Sequence, residues 1–382
     1  MKLQRLFYLS FLAIGLSLAA CQNSNGQTTD ASINDTIAQE PIKATIFFVG
    51  DAMQHGPQLN RAKALGKGAG VYDYSECFTL IAPTAKSADY AVVNLEVPLG
   101  GGKGGYSGYP CFSAPDAYAI ALKDAGFDMF LTANNHMLDR SDDGLRRTIY
   151  ALDSMKVDHI GTYNDKADRD AKTPFIKDIK GIKVGFLNYT YGTNGIKAKK
   201  GAEVNYIDKE QIEKEIKKTR DAGAELIVVA MHWGQEYHLK ETQSQRELAD
   251  FLANQGVDMI IGGHPHVVEP MHIIDNPVTG KKTLIVYSLG NFISNQKDTN
   301  SQGGASVMCT IEKDPDGTAR FTGAQYDIFF SAKPAGGTTN YQVVPSVMEE
   351  KVPAGQKAVW ESFKTTAQKV FSENTGVGQA KK

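Results

Sequence analysis

Short apolar runs alternate with amphipathic stretches along most of the chain. The clearest apolar runs predict strands over ATIFFVGD (44–51), SADYAVVNLEVP (87–98), GIKVGFLNYT (181–190) and KTLIVYSLGNFI (282–293). In four further stretches a helical period passes directly into an apolar run, over residues 115–136, 142–161, 208–234 and 245–266. Apolar residues three and four positions apart favour a helix packed on one face, whereas short continuous apolar runs favour buried strands.

This alternation predicts an α/β fold. Nearly continuous apolar strands separated by helices are typical of sheets that helices cover. In such folds, ligands gather at the carboxyl ends of the strands. Side chains with ligand chemistry occupy those ends here: Asp51, Glu96, Asn135, His136, His232, His264 and His266. We therefore expect one functional site along that edge.

The C-terminal part completes a predicted main domain (43–350) and adds a tail (351–382). Residues 306–330 alternate apolar and polar positions around a DPDG turn, which predicts an antiparallel hairpin. The tail contains one amphipathic helix, AVWESFKTTAQKVF, which we expect to pack on the domain. The glycine-rich stretch GGGKGGYSGYP (100–110) lacks the GK[ST] ending of a phosphate loop and predicts a loop beside the site.

The N-terminus predicts targeting to the cell envelope. A basic start is followed by an apolar segment, 6–18, that is too short to span a bilayer, so residues 1–20 are interpreted as a signal peptide. Small residues directly before Cys21 are similar to a lipoprotein lipobox, which predicts lipidation of Cys21 and a membrane anchor. Residues 21–42 are polar and predict a flexible tether. No acidic cluster directly follows Cys21, which favours an anchor that faces the periplasm.

Charge and cysteine content narrow the function classes. The net charge of −2, without a long basic run, argues against nucleic acid as a partner. After Cys21 the chain has Cys77, Cys111 and Cys309, without the CxxC spacing of a zinc knuckle. An envelope location permits a Cys77–Cys111 disulfide, but the odd count argues against a disulfide framework, so we interpret all three cysteines as buried or incidental.

The stretch IIGGHPHVVEP (260–270) carries the strongest candidates for metal ligands. Pro265 disfavours the helical backbone for His264, so we predict an extended segment. Residues two apart in an extended segment project to the same side, which would aim His264 and His266 at one cavity. Elsewhere, the alternatives of a turn or a helix cap stay open for Asp51 and for the TANNHMLD stretch.

Other residues have the chemistry for supporting roles. His136 is a candidate proton donor, and Asp139, three residues later, could orient its ring. His232 ends the IVVA run, and Glu236 follows it within a polar and aromatic segment. Asn291 follows a strand, and His55 is close in sequence to Asp51. We expect His55, Glu236 and Asn291 to contact the substrate or to support the ligands.

Six motifs in this order resemble the CapA family: GD (50–51), NLEVP (94–98), ANNHMLD (133–139), HWGQEY (232–237), GGHPHVVEP (262–270) and SLGNFI (288–293). The family is associated with poly-γ-glutamate capsule synthesis and belongs to the calcineurin-like metallophosphatase superfamily. The resemblance implies a four-layer α/β/β/α sandwich with a metal site between the strand ends.

The resemblance also implies how two metal positions would be divided. One would have Glu96, Asn135, His232 and His264, and the other would have Asp51, Glu96 and His266. The superfamily places a histidine two residues after the first aspartate, but this chain has Met53 there. One or two divalent ions (Mn, Fe or Zn) are therefore expected, with His55 as a substitute ligand.

Two functions are compatible with these residues. The first is a metal-dependent hydrolase acting on a phosphoester or a γ-glutamyl amide, with His136 protonating the leaving group. The second is a non-catalytic component that binds and exports an anionic polymer together with membrane synthetase partners. The loss of the first-motif histidine favours the second, whereas the open-sided GGHPH pair favours the first over a closed structural zinc site.

Overall fold

The computed structural model describes residues 40–102 and 104–380. The strands are β1 Ile42–Ala52, β2 Tyr90–Leu95, β3 Met129–Leu131, β4 Asp158–Ile160, β5 Thr162–Tyr163, β6 Phe175–Ile179, β7 Ile182–Thr190, β8 Glu203–Val204, β9 Leu226–His232, β10 Met259–Gly263, β11 Met271–Asp275, β12 Lys282–Val286, β13 Asn291–Ile293, β14 Gly303–Lys313, β15 Ala319–Ala332, β16 Gln342–Pro345 and β17 Gly378–Gln379. The α-helices are α1 Gly56–Leu65, α2 Ala82–Ser87, α3 Asp116–Asp124, α4 Ser141–Met155, α5 Lys166–Lys172, α6 Lys209–Asp221, α7 Gln243–Asn254 and α8 Lys357–Phe371. Short 3₁₀ helices cover Thr299–Ser301, Ser346–Lys351 and Ala354–Gln356.

The strands form two large sheets. The first has the order β16-β15-β14-β1-β2-β3-β4, with β13 paired to β1 and β17 to β15. The second has the order β11-β12-β10-β9-β7-β6, and β5 and β8 form a separate pair. Strands β1 to β4 are mutually parallel, as are β7, β9, β10 and β12. Their carboxyl ends therefore define one edge in each sheet.

Alternate residues of β1 show how the layers are built. Ala44, Ile46 and Phe48 belong to a core that also contains residues of β7, β9 and β10, so this core lies between the two sheets. Phe47 and Val49 face the opposite side, where the buried residues of α3 and α4 pack. Since successive side chains of a strand point to opposite faces, a strand buried on both faces must be apolar throughout.

The second sheet is covered in the same way. Its outer face packs Ile227 and Val229 against Ile212 and Ile216 of α6 and against residues of α7. The N-caps of these helices are set by side chains, because Asp208 accepts from Gln211 N and Thr242 forms a capping box with Gln245. The order helix, sheet, sheet, helix confirms the predicted four-layer α/β/β/α sandwich.

The C-terminal segments pack as the sequence predicts. β14 and β15 form the antiparallel hairpin around the DPDG turn. Helix α8 places Trp360, Phe363 and Ala367 in the core between the sheets, so it is part of the compact unit 40–382. Burying an aromatic side chain of this kind contributes about 1.5–3 kcal/mol.

Cys77 and Cys111, for which a disulfide was possible, are not joined. Cys77, Cys111 and Cys309 are all free in the part of the chain that the structure describes. Cys77 and Cys309 are buried, and burial raises the pKa of both thiols above their ordinary value. Cys111 is exposed and free, which fits the interpretation as an incidental cysteine.

The predicted targeting segment lies outside the described residues, since the signal peptide, Cys21 and nearly all of the tether fall within 1–39. Within the described ranges, no helix has both the length and the apolar character needed to cross a membrane.

Candidate metal centre

The ends of the parallel strands bring the predicted ligands together. Asp51 lies near the end of β1, and Glu96 directly follows β2. Asn135 follows β3, and His232 is the last residue of β9. His264 comes directly after β10, with His266 two residues later. All these residues are buried: Asp51, Glu96, Asn135, His232, His264 and His266.

One side of this cluster is formed by an amide, two imidazoles and a carboxylate. His232 Nε2 lies 2.9 Å from Asn135 Oδ1 and 3.7 Å from Glu96 Oε1. The His232 and His264 rings are 4.8 Å apart between centroids. One donor atom each of Glu96, His232 and His264 lies within 4.8 Å of the other two. We call this the His232 side.

The other side shares Glu96. His266 Nδ1 lies 3.2 Å from Asp51 Oδ2, and His266 Nε2 lies 3.8 Å from Glu96 Oε1. Donor atoms of Asp51, Glu96 and His266 again lie within 4.8 Å of one another. We call this the His266 side. The two groups that the resemblance implies are therefore both present, with Glu96 common to them.

Asn94 connects the two sides. Its Nδ2 donates to Asp51 Oδ1 at 2.8 Å and lies 3.4 Å from His232 Nδ1. Its Oδ1 accepts from Asn134 Nδ2 at 3.2 Å. Sequence reasoning missed both asparagines as individual residues. The position of Asn94 within the apolar run AVVNL could have revealed it, because an amide buried in a strand needs hydrogen-bond partners nearby.

Glycines let the backbone approach these side chains. A Cβ on Gly263 would lie 2.8 Å from Asp51 Oδ1, and one on Gly262 would lie 1.9 Å from the Tyr287 carbonyl oxygen. His264 N donates to Asp51 Oδ2 at 3.1 Å, which fixes the start of the turn against β1. A side chain at either glycine of GGHPH would therefore clash with its neighbours.

The predicted extended backbone of the histidine pair is wrong. His264 has φ 98° and His266 has φ 59°, both in the left-handed region that side chains rarely adopt. The strand ends at Gly263, and the turn that follows is held by tertiary hydrogen bonds. The two rings nevertheless reach one cluster, 5.9 Å apart between centroids. Such strain is concentrated at functional sites, where the surroundings maintain it.

Burial determines the charge of the ligands. Burial lowers the pKa of His264 to about 3, and burial together with His264 lowers that of His232 well below its ordinary value. Burial would raise the pKa of Asp51, but the hydrogen bond and charge of His266 bring it below the ordinary value. Burial and the neighbouring Asp51 raise the pKa of Glu96. The imidazoles of His232 and His264 are therefore neutral at pH 7, the form that binds a metal.

The donor set fits a divalent cation. Glu96 Oε1 and His264 Nδ1 are buried atoms without a hydrogen-bond partner among the described residues, a costly condition that a bound cation relieves. Imidazole, amide and carboxylate donors suit manganese, iron or zinc. Asn135, His232, His264 and Glu96 would hold one ion, and Asp51, Glu96 and His266 a second.

His136 and Asp139 form a pair at the edge of the cluster. His136 Nδ1 lies 2.8 Å from Asp139 Oδ2, which also accepts from Phe112 N at 2.7 Å. The Phe112 ring meets the His136 ring edge-on at 4.6 Å. Asn194 Nδ2 also lies 3.5 Å from Nδ1, so Nε2 is the ring nitrogen that remains for exchange with a substrate.

A cavity of about 440 Å³ opens beside this pair. It is lined by Met53, His55, Tyr109, His136, Glu236, Tyr237, His266, Asn295, Gln296 and Lys297. Tyr109 comes from the glycine-rich stretch, as the sequence predicts for a loop beside the site. The exposed Lys297 adds a cation to a wall that also contains the Glu236 carboxylate and the apolar Met53.

The three supporting candidates occupy different places. His55 lines the cavity, but its Nδ1 accepts from Asn295 N at 3.2 Å, and it belongs to neither ligand side. Asn291 is the pairing partner of Asp51 in the sheet and donates to Gln296 Oε1 at 2.7 Å, so it holds a residue of the cavity wall. Glu236 lies in the loop after β9, with a carboxylate oxygen close to His264 and His266.

Tyr191 and Asn194 are further site residues that sequence reasoning missed. The Tyr191 ring lies 4.5 Å from the His264 ring, and Asn194 Oδ1 accepts from Asn135 Nδ2 at 3.3 Å. Both follow strand β7, whose end lies beside that of β9 in the second sheet. The signal was the same as for the ligands, namely polar residues after a buried strand in NYTYGTN.

Comparisons with known proteins identify the family. The profile described as "Bacterial capsule synthesis protein PGA_cap" matches residues 45–296, more than half of the chain. The chain belongs to this family. The matched range contains every predicted ligand and both members of the His136–Asp139 pair.

Two relatives carry capsule-related names. The capsule biosynthesis protein CapA of Bacillus anthracis is 30% identical over 282 residues, which cover 71% of this chain and 64% of that protein. The PGA biosynthesis protein CapA of Bacillus subtilis (strain 168) is 30% identical over 285 residues, which cover 74% of this chain and 70% of that protein. This chain thus spans less than two thirds of the Bacillus anthracis relative.

Among solved structures, the calcineurin-like phosphoesterase YfkN of Bacillus subtilis is similar with a TM-score of 0.44 and 15% identity. The similarity covers 87% of this chain and 99% of that one. The fold assignment rests on the strand order and the four layers described above.

Proposed function

We propose that this protein is a metal-dependent hydrolase of the cell envelope that acts in poly-γ-glutamate capsule biosynthesis. The observation that carries the proposal is the buried cluster of two donor groups sharing Glu96, with the His136–Asp139 pair at its edge. Membership of the capsule synthesis family and the names of its Bacillus relatives support the link to the capsule.

A divalent cation in this cluster would polarise a phosphoryl or carbonyl oxygen and stabilise the negative charge that develops there. The chain's own residues perform the remaining tasks. Asp139 fixes the His136 ring through Nδ1, so that Nε2 can deliver a proton to the leaving group. The Tyr109 and Tyr237 rings form part of the wall of the neighbouring cavity, where Lys297 suits an anionic substrate.

The substrate class that we propose is a phosphoester or a γ-glutamyl amide of an anionic polymer. The donor groups do not distinguish the two, because one cation polarises either oxygen. The position of the protein in the envelope, through a lipid on Cys21 that faces the periplasm, is part of the same proposal and rests on the sequence pattern of residues 1–21.

One observation favours a second candidate, a polymer-binding and export component that works with membrane synthetase partners without catalysis. Met53 stands where the superfamily pattern has a histidine, and its side chain is buried in the apolar core. The His266 side therefore has three protein donors among the residues predicted as ligands.

The first test measures metal content and turnover of the full chain for wild type, His264→Ala and His136→Ala. We expect one or two equivalents of manganese, iron or zinc in the wild type, and their loss in His264→Ala. His136→Ala should keep the metal and lose roughly 10²–10⁴-fold in turnover, because only the proton donor is removed. A phosphodiester and a γ-glutamyl anilide, each with a chromogenic leaving group, serve as probes.

The outcomes separate the two candidates. Metal binding with turnover that depends on His136 supports the hydrolase. Metal binding without turnover of either probe, together with polymer output that survives His264→Ala in cells, favours the export component. A wild-type chain that binds no metal under any loading condition contradicts the metal-dependent hydrolase.

A further inference from the structure

The loop after β9 carries a carboxylate to the open side of the histidine pair. Donor atoms of Glu236, His264 and His266 lie within 4.8 Å of one another, and Glu236 is exposed whereas both histidines are buried. This group does not contain Glu96, but it shares His264 with the His232 side and His266 with the His266 side. A third carboxylate therefore reaches the cluster from the solvent side.

Several contacts hold this loop against the histidine turn. Trp233 N donates to the Gly263 carbonyl oxygen at 3.1 Å, and Tyr237 N donates to that of Pro265 at 2.8 Å. Tyr237 adopts φ 64°, a left-handed conformation directly after Glu236. Gln296 Nε2 donates to the Tyr237 hydroxyl at 3.2 Å on the far side of the cavity. The position of Glu236 is thus set by backbone hydrogen bonds to Gly263 and Pro265, the residues on either side of His264.

Without a cation, this arrangement is electrostatically unfavourable. Glu236 brings a third acidic side chain to the cluster that contains Asp51 and Glu96. Its negative charge therefore acts on a site that already contains two acidic side chains. A divalent cation between the carboxylates and the neutral imidazoles converts this repulsion into attraction.

The His266 side is the one that needs a donor. It has Asp51, Glu96 and His266, and the residue two positions after Asp51 is Met53, whose side chain is buried in the apolar core and whose soft thioether does not suit manganese. We propose that Glu236 is a metal ligand that completes the His266 side. This assignment rests on the metal centre of the proposed function and gives Glu236 a direct role, where the sequence predicted contact with the substrate or support of the ligands.

The test is a titration of the metal-free full chain with Mn²⁺, followed by calorimetry, for wild type, Glu236→Gln, Glu236→Asp and Glu247→Gln. Glu247 is a matched control, because it is an exposed glutamate on α7 that accepts from Gln243. We expect Glu236→Gln to weaken the Mn²⁺ position of lower affinity by at least about tenfold, since even residues that only support ligands contribute 10–100-fold. Glu236→Asp should restore part of the affinity, and Glu247→Gln should bind as the wild type does.

Melting of the metal-free variants serves as the folding control, since an exposed glutamate contributes little to the apo fold. If Glu236→Gln binds Mn²⁺ with unchanged stoichiometry and affinity, the ligand assignment is wrong while the proposed metal centre stands. If the wild type itself binds no Mn²⁺ or other divalent ion, the proposed function fails and the assignment with it.

Discussion

The two sides of the cluster lie at the same strand ends but differ in the number and burial of their donor groups. The His232 side has an amide, two imidazoles and a carboxylate, all buried. The His266 side has two carboxylates and one imidazole, with the buried apolar Met53 beside them. The first is complete within the core of the fold, and the second depends on a carboxylate from an exposed loop.

This difference predicts different affinities within one centre. Four buried, pre-positioned donors bind a cation without ordering any part of the chain. A position that uses an exposed glutamate must order a solvated side chain, which costs about 1–2 kcal/mol. We therefore expect the His232 side to hold its ion tightly and the His266 side to exchange its ion readily.

The largest effects on metal affinity should come from two single substitutions, one that removes a histidine of the His232 side and one that removes the histidine of the His266 side. His232→Ala should reduce the affinity of the tight position by more than about 100-fold, because a direct ligand outweighs a supporting residue. His266→Ala should remove only the weaker position and leave one equivalent bound. Metal analysis after dialysis compares the two, with His238→Ala, an exposed histidine of the β9 loop, as the control. Equal losses in both variants would show that the two sides do not differ.

A smaller effect should come from Asn94, which contacts both sides. Asn94→Ala removes the hydrogen bond to Asp51 and the contact with His232, so both positions should weaken by roughly 10–100-fold. Calorimetric titration of the metal-free protein measures the two affinities separately. Weakening of one side alone would place the role of Asn94 on that side.

The smallest effect concerns Glu269, a buried residue behind the histidine turn whose Oε2 accepts from Gln245 Nε2 at 2.7 Å. Burial raises its pKa from 4.5 to about 8. The folded state therefore binds the carboxyl proton of Glu269 more tightly than the unfolded state does. The stabilisation that this proton gives the folded state is fully present below pH 4.5 and is lost as the pH rises through 8. Glu269→Gln should leave the melting temperature at pH 5 nearly unchanged and raise it at pH 9.

The gain in free energy of unfolding at pH 9 has an upper limit of about 5 kcal/mol, from 1.36 kcal/mol per pKa unit. Glu247→Gln should show no such gain. A Glu269→Gln protein that loses as much stability as the wild type between pH 5 and pH 9 would contradict the shifted pKa. Because Glu269 contacts none of the predicted ligands, its substitution should leave metal binding unchanged. The variant therefore tests the pH dependence of stability without altering the metal affinities of the two sides.

Sequence reasoning worked where the physical signal is local. Apolar runs and helical periods identified the strands and helices that order the site, and the polar residues that end those runs are the ones that meet in space. It failed for the backbone of His264 and His266. Pro265 favours an extended neighbour, but hydrogen bonds from His264 to Asp51 and from Tyr237 to Pro265 impose a left-handed turn.

Residues that act through distant partners were also missed. Asn94 is a single polar residue in an apolar run, and its importance arises because Asp51, His232 and Asn134 surround it in the fold. Glu236 was recognised, but its distance from His264 and His266 depends on how the loop after β9 packs on the turn after β10. Such distances join segments that are far apart in the chain, so no local pattern encodes them.

The sequence by itself determined the alternation of strands and helices, the polar chemistry at the strand ends and the family, because these depend on periodicity and residue type. The tertiary structure decided which predicted donors lie together, which ring nitrogen of His136 is engaged by Asp139, and that Glu236 reaches the histidine pair. These features depend on the packing of two sheets against each other, since only that packing brings the ends of β1, β2, β9 and β10 to one point.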